Sequence, residues 1–122
     1  MKNMKKLIFF LLAGLLAVAA CKKDKKTDPN ACNTDNVSFS NDIMPIMNQS
    51  CAVSGCHDAA THSANVQLND YDHVRLNAVL SLQAITHQQG VKPMPYPPGS
   101  DPLSDCDIAK FSKWIADGMP NN

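Results

Sequence analysis

The chain has 122 residues, with eleven basic and eleven acidic side chains and no net charge at pH 7. That balance is uneven: seven lysines precede Cys32, whereas from Cys32 onward Arg75, Lys92, Lys110 and Lys113 face nine aspartates, a formal −5. An acidic domain argues against nucleic acid as a partner and suits a soluble protein partner with a basic docking face. Ninety or so residues with few aromatic rings make one small domain with a thin core, so something besides its own side chains must complete the interior.

Residues 1–20 read as a targeting segment. Lys2, Lys5 and Lys6 precede the uncharged run Leu7 to Ala20, the basic and apolar regions of a signal peptide. The run is short for a transmembrane helix. Leu16-Ala17-Val18-Ala19-Ala20-Cys21 resembles a bacterial lipobox, which implies cleavage before Cys21 and lipidation of its thiol; ordinary signal cleavage is the alternative. Lipidation implies a cell-envelope protein held to a membrane by its acyl chains, facing the periplasm or cell surface. Residues 21–31 then form a polar linker, with no apolar side chain in Lys22 to Asn30.

The domain spans residues 32–122. A first helix is expected from a cap at Ser40 or Asn41, with Ile43, Ile46, Met47 and Cys51 on one face and Pro45 in the first turn. Residues 58–69 read as a loop with Val66 and Leu68 turned inward. A second helix is expected from about Asp70 to Ala84. Its broad apolar surface comprises Tyr71, Val74, Ala78 and Ile85, with Leu76, Val79, Leu80 and Leu82 around them. His73 lies within it and reads as a surface or cap histidine.

Prolines 93, 95, 97 and 98 then forbid helix and ladder pairing and stiffen the backbone around Met94. A weak thioether ligand needs such accurate placement, which makes Met94 a candidate metal ligand. A core methionine or a polyproline recognition segment is the alternative. The last helix has the clearest punctuation. Ser104 is the N-cap with Asp107 three residues on, Leu103 and Ile108 form a staple, and Gly118 and Pro120 end it. Ile108, Phe111, Trp114 and Ile115 form its buried stripe.

The most distinctive stretch is Cys51-Ala52-Val53-Ser54-Gly55-Cys56-His57. A Cys-x-x-Cys-His run attaches c-type haem, the two thiols forming thioethers and the histidine lying under the iron. Here the spacer is four residues, and Gly55 can absorb the bulge because it tolerates positive φ. A small disulfide loop, or half a zinc site with His57 or His62, are the other readings. With Cys21 assigned to lipid and Cys51 and Cys56 to haem, Cys32 and Cys106 remain. In an oxidising compartment they suggest a disulfide, with two buried free thiols as the alternative.

The order of helix, Cys-x4-Cys-His, middle helix, Pro-flanked Met and capped final helix with Trp114 resembles small monohaem class I cytochromes c. The likeness covers roughly residues 37–121. It implies an all-α domain around one covalent haem c, with His57 and Met94 as axial ligands. The activity implied is electron transfer with redox protein partners, not enzymatic turnover. The interval from His57 to Met94 is short for that family, so His62, His87 and Met119 stand as alternative distal ligands. A five-coordinate haem that reduces peroxide is one rival. The lack of an obvious distal acid–base pair beside Met94, with His87 the only nearby candidate, counts against it. No Ser/His/Asp, phosphate-loop or EF-hand pattern occurs. A haem-free, disulfide-stapled envelope lipoprotein with a binding or structural role is another rival.

Overall fold

The computed structural model describes residues 32–97, 100 and 102–122. The expected signal peptide, Cys21 and the expected linker lie outside the described residues. Among the described residues all regular structure is helical, with no strand, and no helix is long and apolar enough to cross a membrane.

The first helical segment starts at Ser38, two residues before the expected cap. The Ser38 hydroxyl accepts from the Asn41 amide, and the Asp42 carboxylate accepts from the Ser38 amide at 2.9 Å. A π-helical turn, Phe39–Ile43, runs directly into α1, Met44–Ser50. The wide turn has a cause in the sequence. Pro45 has no amide to donate, and its ring would crowd the carbonyl four residues back in a regular helix. Widening the preceding turn lets the chain wind from Ser38 while Pro45 stays in the first turn of α1. Ile43, Ile46 and Met47 are buried on the expected face, which delivers half-buried Cys51 at the C-terminal end.

Helix α2, Tyr71–Ile85, starts at Asp70, whose carboxylate accepts from the His73 amide. The His73 ring pairs with the same carboxylate at 2.7 Å, so this histidine belongs to the cap. Val74, Ala78 and Ile85 are buried as expected. Of the surrounding apolar residues Leu82 packs against the core, but Leu76 is 81% exposed, Val79 60% and Leu80 49%. A helix buries only the stripe against which another element packs, whatever the apolar content of its other faces.

Helix α3, Asp105–Ala116, follows its expected punctuation. The Ser104 hydroxyl accepts from the Asp107 amide and donates to the Asp107 carboxylate at 2.7 Å. Leu103 is buried, and Ile108 packs against the same core. Gly118, with a φ of 88°, takes the left-handed turn after the helix, where a side chain would be strained. Phe111 and Trp114 are fully buried.

Phe39, Tyr71, Phe111 and Trp114 form one aromatic cluster in edge, tilted and stacked contacts, the arrangements that ring quadrupoles favour. Ring centroids are 5.0 Å apart for Phe39 and Tyr71 and 6.4 Å apart for Tyr71 and Trp114. The polar handles of the buried rings are satisfied by the C-terminal segment. Trp114 Nε1 donates to the Pro120 carbonyl at 2.9 Å and the Tyr71 hydroxyl to that of Met119 at 2.8 Å. That segment then reaches the first helix. The Asn122 carbonyl accepts from the Ser40 amide and from both the Ser38 and Ser40 hydroxyls, while its side-chain oxygen accepts from the Phe39 amide. Asp42 and Lys110, 2.8 Å apart, tie the π-turn to α3. Cys32 and Cys106 form the expected disulfide, with Cα atoms 5.3 Å apart.

Candidate functional site

Beyond α1 the chain makes a compact loop that orients the Cys-x4-Cys-His stretch. The Cys51 and Ala52 amides both bond the Met47 carbonyl, and the His57 amide returns to the Cys51 carbonyl at 3.1 Å. Gly55 makes this return possible with a φ of 85°. That left-handed conformation is costly for residues that carry a Cβ. The Ser63 amide bonds the Cys56 carbonyl and the Leu68 amide that of His57, so the loop is tied on both sides of the histidine.

The His57 side chain is oriented by Val66, whose carbonyl lies 2.9 Å from Nδ1. A carbonyl only accepts, so Nδ1 is the donor, and in the neutral imidazole that tautomer leaves the Nε2 lone pair for a ligand. This is the arrangement of a histidine prepared to bind a metal through Nε2, with the other nitrogen fixing ring and tautomer. Cys51 and Cys56 are both free, half-buried thiols. Burial pushes the Cys51 thiol up to about 11, helped by the neighbouring Cys56.

A cleft of about 440 Å³ opens beside this loop. Cys51, Cys56 and His57 form one border; Val66 and Leu68 continue it. Leu80, Ala84 and Ile85 of α2 form another, and Val91, Met94 and Tyr96 of the proline-rich segment close it. Among the described residues, Lys92 is the only lysine, arginine or acid bordering it. Met94 is half-buried against the core, and its amide donates to the Ala84 carbonyl at 3.1 Å. A second cavity, of about 300 Å³, lies against the same segment and is bordered by His87, Pro93, Pro95 and Ser100; both cavities share Lys92, Pro95 and Tyr96.

The fold thus brings Cys51, Cys56, His57 and Met94 to one apolar cleft. It does not bring the alternative distal ligands there. His62 is exposed, with Nδ1 at 3.3 Å from the Ala59 carbonyl. His87 borders only the smaller cavity. Met119 belongs to the turn after α3, its amide on the Trp114 carbonyl and its own carbonyl taken by Tyr71. Among the described residues no group of three or more His, Cys, Asp or Glu side chains gathers as a metal site, Cys51 and Cys56 with His57 or His62 included.

Sequence reasoning missed three groups here: the carbonyls of Val66 and Ala84, and the His87 side chain as a partner of the Met94 backbone. Backbone carbonyls carry no residue-type signal, and His87 follows α2 in a polar turn with nothing to single out that contact. Comparison of the chain with family models, curated proteins and solved structures yields no match to any of the three.

Proposed function

We propose that this chain is an electron carrier that holds one haem c covalently through Cys51 and Cys56, with His57 and Met94 as axial ligands. The observation that carries the reading is convergence. Four residues of the types this cofactor requires, drawn from two separate stretches, border a single apolar cleft. The donor set fits the group: two free thiols for thioethers, an imidazole with Nε2 available, and a thioether sulfur. A haem bound there supplies a one-electron couple at its iron, and His/Met ligation raises its potential.

The side chains have separate tasks. Cys51 and Cys56 hold the group on the loop that follows α1. The Val66 carbonyl, accepting from His57 Nδ1, fixes the ring so that Nε2 is the nitrogen that would face the iron. Val66, Leu68, Ala84 and Ile85 keep water from the faces of the cleft, which favours the less charged state of whatever they enclose. A flat apolar group there also completes the thin interior. In the same reading Cys21 carries a lipid anchor in a bacterial envelope, residues 22–30 give the domain reach, and its acidic surface meets redox protein partners.

The test is expression with a c-type haem maturation system, followed by denaturation, intact mass and a reduced haemochrome spectrum. One haem should remain attached. Cys51→Ala or Cys56→Ala should shift the spectrum, and Met94→Ala should abolish the sulfur-to-iron band of the oxidised protein. A colourless product two hydrogen atoms lighter across Cys51 and Cys56 would end this reading in favour of a disulfide-stapled envelope lipoprotein.

A further inference from the structure

The segment carrying Met94 is stiffened by its prolines but has few backbone donors with which to fasten itself to the rest of the fold. Prolines at 93 and 95 remove the amides on either side, so Met94 offers the one backbone donor of the Pro93-Met94-Pro95 triplet. Both polar backbone groups of Met94 are tied to the C-terminal end of α2. Its amide donates to the Ala84 carbonyl at 3.1 Å, and its carbonyl accepts from His87 Nε2 at 3.2 Å. The second contact is the only side-chain bond that Met94 receives among the described residues.

His87 reaches that carbonyl from an unusual backbone position. It follows the α2 cap residue Thr86 with a φ of 54°. A residue with a Cβ adopts that left-handed conformation at a cost. The turn is held there by two bonds: the His87 amide on the Ala84 carbonyl at 3.2 Å, and the Gln88 amide on that of Gln83 at 3.0 Å. Ala84 therefore receives amides from both His87 and Met94, a compact knot at the end of the helix. A cavity of about 300 Å³ is bordered by His87, Pro93 and Pro95, the residues on either side of this contact.

We propose that His87 is a positioning residue for Met94: its Nε2–H holds the Met94 carbonyl and so keeps the thioether at the cleft. The inference rests on the reading of Met94 as the distal ligand. His87 acts through the backbone and does not touch the cofactor site itself. It is a latch between the end of α2 and a segment with a single backbone donor around Met94.

The test uses the haem-loaded protein and imidazole as a competitor for the distal position in the oxidised state. His87→Gly deletes the donor while suiting the left-handed turn. His87→Asn is a second deletion, since it also tolerates that turn but its amide lies closer to the backbone than Nε2. His87→Gln keeps a long N–H donor. Loss of one neutral hydrogen bond should tighten imidazole binding by roughly 2- to 10-fold in the Gly and Asn variants and weaken their sulfur-to-iron band. His87→Gln should restore both. Unchanged imidazole affinity and band in both deletion variants, with Met94→Ala still abolishing the band, overturns the latch and leaves the ligand assignment standing. A band unaffected by Met94→Ala overturns both.

Discussion

Replacing Cys32 and Cys106 together by serine tests how much of the domain's stability the cross-link provides. The two residues are 74 positions apart, so the bond closes almost the whole folded domain. The chain-entropy relation for a loop of about 75 residues gives about 4 kcal/mol, exerted mainly by restricting the unfolded chain. A domain of this size has about 5–14 kcal/mol in total, so the loss is a large share. With a urea dependence of about 1.3 kcal/mol/M, the unfolding midpoint should fall by about 3 M. The assay is equilibrium urea unfolding of wild type and double variant, followed by Trp114 fluorescence and by circular dichroism. The m value should rise in the variant, because its unfolded chain expands further and exposes more surface. A loss below about 1 kcal/mol with unchanged m would refute the argument, since the bond would then restrict little that the folded frame does not already hold.

Trp114→Ala empties the centre of the aromatic cluster and orphans the Pro120 carbonyl. It should cost about 3–5 kcal/mol by thermal or chemical unfolding, against much less for Trp114→Phe. A Cβ added at Gly55 meets no atom within 4 Å. The cost of Gly55→Ala should therefore be that of the left-handed backbone alone, about 1 kcal/mol and at most about 2 kcal/mol, measurable in the same urea experiment. The Lys110 ammonium and then the Ser38 amide hold the Asp42 carboxyl below its ordinary value of 3.8. Its stabilisation is therefore fully present above pH 3.8 and is lost as pH falls through that value towards the lower native one. Asp42→Asn should cost about 1 kcal/mol at neutral pH and flatten the acid limb of a stability–pH curve without abolishing it. Asp58 and Asp70 are also held low and keep their own share of the slope.

Local signals were legible wherever one residue type has one physical use. Ser104, Leu103 and Gly118 bounded α3, Asp70 started α2, and the cysteines left by elimination proved to be bonded. The spacing of Ile43, Ile46 and Met47 gave the buried face of α1. The first cap was misplaced because Pro45 widens the turn before it, and a period of 3.6 does not describe a π-turn. Leu76, Val79 and Leu80 could not be placed from pattern alone, since whether an apolar face is covered depends on elements far away in the chain. The same holds for the site. Cys51, Cys56, His57 and Met94 stood out by type and spacing. The carbonyls that orient His57 and Met94 are set only once residues 57, 66, 84 and 94 meet.

The clasp of Asn122 on Ser38, Phe39 and Ser40 divides the molecule into two parts of unequal stiffness. The hoop formed by the first helical segment, α3, the aromatic cluster and the C-terminal residues closes through contacts more than eighty positions apart, with the disulfide fastening it again. Two walls of the cleft, by contrast, are loops 51–68 and 90–97, closed by short-range bonds within the loops and by the bond of Met94 to Ala84. Opening events of low free energy fall in such loops, while the hoop parts only with the whole fold. The cleft can therefore gape and reclose on a closed hoop, and a bulky guest can be admitted after the chain has already folded. Hydrogen exchange should reveal this as two tiers of protection, with the Met94 amide in the lower and the α3 amides in the upper.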